Sequence, residues 1–114
     1  FHDGVTCLSA LAQDSRLQIF RLLIQAGPNG LAAGEIARRL GIPANTLSTH
    51  LNILAHSGLV RARRASRSRI YAAQYDAFRQ LMTFLLEDCC QGKPEVCAPL
   101  FDLAASCGTT ERTT

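Results

Sequence analysis

The sequence predicts a mainly α-helical fold carrying one small β-hairpin. Three observations carry that prediction. Apolar residues recur at helical spacing in five segments between Thr6 and Cys90. Apart from Gly34, glycine and proline fall between those segments and not inside them. The one stretch that reads as extended, Leu59 to Ala73, is split by the polar tetrapeptide Ala65-Ser66-Arg67-Ser68. A length of 114 residues suits one domain around one core. The composition is 47% hydrophobic and 18% charged, which excludes a disordered chain. Trp is absent and aromatics make up 6%, so aliphatic side chains must fill the core.

The elements follow in order. Thr6 to Ala12 reads as a short helix with Leu8 and Leu11 on one side. Asp14 or Ser15 can cap a second helix reaching Ala26. Its dense apolar set, Ile19, Phe20, Leu22, Leu23 and Ile24, marks it as central to the core. Gly27-Pro28-Asn29-Gly30 is a turn. A third helix covers Ala33 to Leu40, with Ile36, Ala37 and Leu40 facing inward, and Gly41-Ile42 breaks it. Pro43 suits the first turn of a fourth helix, where its missing N–H costs nothing. That helix runs to His56 and Gly58 ends it. Two strands, Leu59 to Arg64 and Arg69 to Ala73, form the hairpin. A last helix spans Tyr75 to Cys90, with Phe78, Leu81, Met82 and Leu85 at helical spacing, until Gly92 and Pro94 stop it. Residues 1–103 are expected to form the domain, and 104–114 a frayed polar tail.

Helix, tight turn, helix and hairpin in this order make a winged helix-turn-helix, with Ala44 to His56 as its recognition helix. At about 100° per residue, Leu47, Leu51 and Leu54 fall together toward the core. Asn45, Thr49, Asn52 and His56 lie opposite, flanked by Thr46 and Ser48. These short side chains both donate and accept hydrogen bonds, as base edges in a major groove require. The N-terminal part of such a helix makes most base contacts, which favours Asn45, Thr46, Ser48 and Thr49. His50 sits beside the apolar face. It is expected to be partly buried and bonded to nearby backbone, with a phosphate contact as its alternative role.

Charge supports the same partner. The net charge of +3 is unevenly spread. From Ile36 to Tyr75 there are seven arginines and no Asp or Glu, whereas the rest of the chain holds more acids than bases. An ordinary solvated edge mixes signs. An acid-free hairpin bearing Arg61, Arg63, Arg64, Arg67 and Arg69 instead fits phosphate contacts on double-stranded DNA. Arg67, at the tip, is the candidate for a minor groove. No basic amphipathic helix accompanies this charge and no apolar stretch is long enough to span a bilayer, so a membrane partner is not expected. Without a secretory pattern, the expected location is cytoplasmic.

The five cysteines are Cys7, Cys89, Cys90, Cys97 and Cys107. An odd number without an export signal argues against a disulfide scaffold. Cys89, Cys90 and Cys97 lie within nine residues at the end of the last helix. Thiolates prefer soft ions. A closed zinc site wants four ligands, and no His follows His56. As(III) forms a three-sulfur pyramid, so three cysteines suffice, and Sb(III) shares that chemistry. A redox sensor using the same thiols is the main rival. However, a helix C-terminus beside Glu87 and Asp88 disfavours thiolate, and Lys93 offsets this only partly. Cys89 could also be a plain core residue. A small thiol enzyme such as an arsenate reductase lacks a phosphate-cradling loop here, so no enzyme is expected. A metallochaperone would leave the arginine segment unexplained. Cys7 is expected to pack within the first helix, and Cys107 to lie in the tail.

The runs LSALAQDSRLQIFRLL, LSTHLNILAHSGLVRARR and RIY resemble those of the ArsR (ArsR/SmtB-type) family of metalloregulatory repressors, from Leu8 to Leu86. The resemblance implies a homodimer built through the first and last helices. It also implies repression of a resistance operon at operator DNA, relieved by an inducer. Many arsenic-sensing members carry Cys-Val-Cys before the recognition helix, where this chain has Leu31 to Ile36 without cysteine. Zinc sensors of the family place Asp and His ligands on the last helix. Asp76 is present here, but the His residues are not. The cluster Cys89, Cys90 and Cys97 is similar to that of members with a C-terminal arsenite site.

Overall fold

The computed structural model describes residues 4–87. The elements run α1 (Gly4–Leu11), α2 (Asp14–Ala26), β1 (Leu31–Ala32), α3 (Ala33–Leu40), α4 (Ala44–His56), β2 (Val60–Ala65), β3 (Ser68–Ala73) and α5 (Tyr75–Glu87). The residues up to Leu81 form one compact unit. Met82 to Glu87, the described start of a second unit, continue α5 and expose Met82, Phe84 and Leu85. Among the described residues no helix is long and apolar enough to cross a membrane.

The core of the first unit is aliphatic, as the absence of Trp requires. Ile19 and Leu23 of α2, Ile36 of α3, Leu47, Leu51 and Leu54 of α4, Leu59 and Leu81 are all almost completely buried. Phe20 and Phe78 meet in a tilted ring contact with centroids 5.5 Å apart. The Tyr75 hydroxyl donates to the Ile24 carbonyl at 3.0 Å and pins the start of α5 to the end of α2.

α1 packs Cys7, as expected, and separates the two leucines read as one side, since Leu11 packs against the core and Leu8 is exposed. It buries the small residues Gly4, Cys7 and Ala10, and leaves Val5 and Leu8 exposed. Small side chains let α1 approach α4 closely. The Cys7 thiol donates to the Ser57 carbonyl at 3.4 Å, just past the end of α4.

Gln13, and not Asp14 or Ser15, caps α2. Its backbone is extended and its side-chain oxygen accepts from the Arg16 amide at 2.9 Å. Asp14 then stands in the first helical turn, where its charge suits the helix dipole. α3 has the expected bounds and ends on Gly41, which adopts a left-handed conformation (φ 65°).

The hairpin belongs to a three-stranded sheet of order β1-β3-β2, with β3 in the centre. β1 has only two residues, too few to show alternation in sequence. It pairs antiparallel with β3 through Leu31↔Tyr71 and Ala32↔Ile70. β2 and β3 pair from Val60↔Ala73 to Ala65↔Ser68, so the connection is the two-residue turn Ser66-Arg67 and not the expected four-residue loop. Ser66 takes the left-handed conformation (φ 59°) that such tight turns demand.

Candidate nucleic-acid interface

Two elements present the interface, and the core positions both. Leu47, Leu51 and Leu54 root α4 in the interior, which turns Asn45, Thr46, Ser48, Thr49 and Asn52 to solvent. Pro43 precedes the helix as its N-cap and supplies no side-chain acceptor for the first turn. The Asn45 side-chain oxygen takes over part of that task by accepting from the Thr46 amide at 2.9 Å. The Thr49 hydroxyl donates back to the Asn45 carbonyl at 3.3 Å. The start of α4 therefore combines unpaired N–H groups with polar side chains, an arrangement suited to a phosphate and to base edges.

His50 is half-buried, as expected, but its partner is a side chain and not nearby backbone. Its Nδ1 lies 3.5 Å from an Nη of Arg16, which also donates from Nε to the Ala10 carbonyl at 2.6 Å. Arg16 thus links the end of α1 to the recognition helix. Sequence reading missed this role because 34 residues separate Arg16 from His50. Asn52 and His56 share the solvent face with Asn45 and Thr49, but they also line a groove between α1 and α4.

The wing sorts its arginines. In the β2–β3 register Arg64 stands directly opposite Arg69, both exposed. Like charges across a strand pair repel, so this pair is arranged for an anion between its members. The Arg69 guanidinium also lies 6.0 Å from the centre of the Tyr71 ring. Arg67 occupies the turn, and Arg61 is exposed near the base of β2. Arg63 differs from the others, because it donates to the Asn29 carbonyl at 3.2 Å and braces the wing against the turn before β1. Replacing Arg63 by Ala is accordingly expected to weaken DNA binding less than replacing Arg64, as measured by anisotropy of a labelled duplex.

Arg38 and Arg39 belong to the acid-free stretch, but Glu35 lies just ahead of it in sequence. Its carboxylate pairs with Arg38 at 2.5 Å and with Arg39 at 2.6 Å. These bonds, led by that from Arg38, lower the Glu35 pKa from 4.5 to about 2 and raise that of Arg38. The sign is that of a depressed carboxyl. The pairing is fully present above pH 4.5 and is lost only as pH falls through about 2. Across the neutral range Glu35 therefore holds two cations that DNA phosphates would otherwise attract. Glu35→Gln should tighten binding to random-sequence duplex several-fold and steepen its salt dependence by about one unit of log–log slope. Spacings of three and four residues on one helix were the available signal, which counting acids only inside the arginine segment passed over.

Cys89, Cys90, Cys97 and Cys107 lie outside the described residues. Among the described residues no group of three or more His, Cys, Asp or Glu side chains is placed to hold a metal ion.

Known proteins share this architecture. A helix-turn-helix domain family model matches residues 11–63. The transcriptional activator HlyU of Vibrio cholerae is 32% identical over 88 residues, spanning 77% of this chain and 79% of that protein. The solved structure of Vibrio cholerae HlyU superposes with a TM-score of 0.58 at 33% identity, covering 72% of this chain and 89% of that one. The homodimeric winged helix-turn-helix DNA-binding domain of a possible ArsR-family regulator from Mycobacterium bovis superposes with a TM-score of 0.61 at 32% identity, covering 72% and 74%. These relatives are transcriptional regulators and not enzymes, in line with the sequence reading. With its recognition helix, arginine wing and these relatives, the chain belongs to the ArsR/SmtB-type family of winged helix-turn-helix transcriptional regulators.

Proposed function

We propose that this chain is a cytoplasmic homodimeric repressor of an arsenic-resistance operon. It leaves its operator when As(III), or Sb(III), is held by Cys89, Cys90 and Cys97. The observation that carries the DNA half of this reading is the wing, an arginine-rich hairpin without a carboxylate, set beside a recognition helix with a polar outer face. The dimer is supported by the exposed apolar residues Val5 and Leu8 of α1 and, separately, by Met82, Phe84 and Leu85 of α5. It is supported too by the homodimeric relative from Mycobacterium bovis. Pairing two recognition helices across a two-fold axis spaces them for successive major grooves.

The inducer half rests on thiol chemistry. Three soft sulfur ligands satisfy a trivalent metalloid, and they follow directly on the helix expected to form the dimer contact. By linkage, an inducer that lowers operator affinity a hundredfold must favour the DNA-free state by about 2.7 kcal/mol.

The experiment starts from a duplex that the reduced protein selects from a random-sequence pool. Its affinity is measured with arsenite, with peroxide and with neither. Arsenite should weaken binding about a hundredfold in the wild type and not in Cys89→Ser, Cys90→Ser or Cys97→Ser. Serine variants that still respond would remove the assignment of these ligands. Release by peroxide alone would replace metalloid sensing by thiol oxidation. A failure to select any duplex at low salt would remove the DNA-binding reading itself.

A further inference from the structure

We propose that Ser57 is a positioning residue for sequence-selective DNA binding. Its hydroxyl fixes the angle between the recognition helix and the wing, and Cys7 anchors it to α1. The corner between α4 and β2 is Ser57-Gly58-Leu59, and both elements of the interface hang on it. Gly58 turns the corner with a φ of 87°, where glycine moves freely. A corner built on glycine needs a brace if α4 and β2 are to keep one angle.

Ser57 supplies that brace. It is 1% exposed in a core of aliphatic and aromatic side chains, and a hydroxyl in such a place is costly unless it is bonded. It is bonded on both sides of the corner. The hydroxyl donates to the Leu54 carbonyl, in the last turn of α4, at 2.7 Å and accepts from the Leu59 amide at 3.3 Å. The Leu59 carbonyl in turn accepts from the Gln74 amide at 2.8 Å, just past the end of β3. One hydroxyl therefore joins the recognition helix to the root of the hairpin.

A further tie comes from α1. Cys7 is fully buried, and its thiol donates to the carbonyl of Ser57, 50 residues away in sequence. α1 is also part of the dimer contact proposed above, so Ser57 lies where that helix, the recognition helix and the wing meet. The placement separates two kinds of DNA contact. Hydrogen bonds to base edges tolerate shifts of only a few tenths of an ångström, whereas long arginine side chains follow a phosphate through small movements of their strand. Loosening the corner lowers affinity for a selected sequence and spares affinity for DNA in general. This role rests on the DNA-binding reading above.

The test compares the full reduced wild type with Ser57→Ala, Cys7→Ala and Cys7→Ser, at a temperature where circular dichroism shows each to be folded. Affinity is measured for the selected duplex and for a random-sequence duplex across a salt series. Ser57→Ala should lose about tenfold on the selected duplex, with random-duplex affinity and salt slope unchanged. Cys7→Ala should lose several-fold in the same pattern. Cys7→Ser, which keeps a donor of similar size, should recover the wild-type ratio of selected to random affinity. A purely structural role would lower the thermal midpoint and leave that ratio as it is, and this result overturns the proposal. An equal loss on both duplexes overturns it too. A Cys7→Ser variant no better than Cys7→Ala removes the tie to α1. If Ser57→Ala does not fold, the two Cys7 variants decide alone. A wild type that prefers no duplex defeats the DNA-binding reading and this proposal together, whereas failure of the proposal by itself shows only in the variants.

Discussion

The double variant Arg64→Gln/Arg69→Gln is expected to bind its selected duplex about a hundredfold more weakly than the wild type and to remain fully folded. The two arginines are direct register partners across β2 and β3, both exposed, in a hairpin without a carboxylate. In the free protein their proximity is unfavourable, and on DNA the same proximity lets them grip one phosphate or two adjacent ones. Two lost charge-assisted contacts, at about 1.5 kcal/mol each, correspond to about two orders of magnitude. Counterion release supplies an independent readout, because the slope of log affinity against log salt should become shallower by about 1.8. Stability should move the other way, with a thermal midpoint equal to or above that of the wild type, since a repulsive cross-strand pair has been removed. An unchanged salt slope would show that the wing does not touch the backbone. A fall in the midpoint would show that the pair is structural.

Gly30→Ala should produce a larger loss of stability than the same change at Gly27, Gly34 or Gly41. Gly30 has a positive φ of 73°, and an added Cβ would run into the Tyr71 carbonyl oxygen and crowd Ala72. The clash is with backbone on β3, at the point where Leu31 pairs with Tyr71, so relief requires β1 to leave the sheet. Left-handed strain and the lost pairing together should cost about 3 kcal/mol, which for a domain of this size lowers the midpoint by 10 °C or more. Gly34→Ala provides the contrast. Gly34 lies in α3 with open space where its Cβ would be, so the substitution should be neutral or mildly stabilising. The two variants differ by four positions and are expected to differ in sign. Thermal unfolding followed by far-UV circular dichroism measures both.

Much of the fold was legible because helical periodicity and breakers agree along this chain. The bounds of α3 and α4 follow from Ile36, Leu40, Leu47, Leu51 and Leu54 set between Gly30, Gly41 and Gly58, and the polar face of α4 follows from the same wheel. The roster of arginines on the wing was also legible, since charge is a property of composition. What each arginine does was not. Arg63 braces the Asn29 carbonyl, Arg38 and Arg39 are held by Glu35, and Arg64 opposes Arg69. These roles are set by register and rotamer. α1 shows the same limit, because the periodicity placed Leu8 and Leu11 on one side without fixing which face is inward, whereas close packing buried Gly4, Cys7 and Ala10.

Taken by itself, the sequence determined which segments are helical, which face of α4 is polar and where positive charge accumulates, because these depend on residues near one another in the chain. Tertiary structure alone decided that Leu31 and Ala32 become a strand, that Arg16 reaches both Ala10 and His50, and that a groove opens between α1 and α4. Each of these joins groups far apart in sequence, and only packing of the shared core brings them within hydrogen-bonding or van der Waals reach.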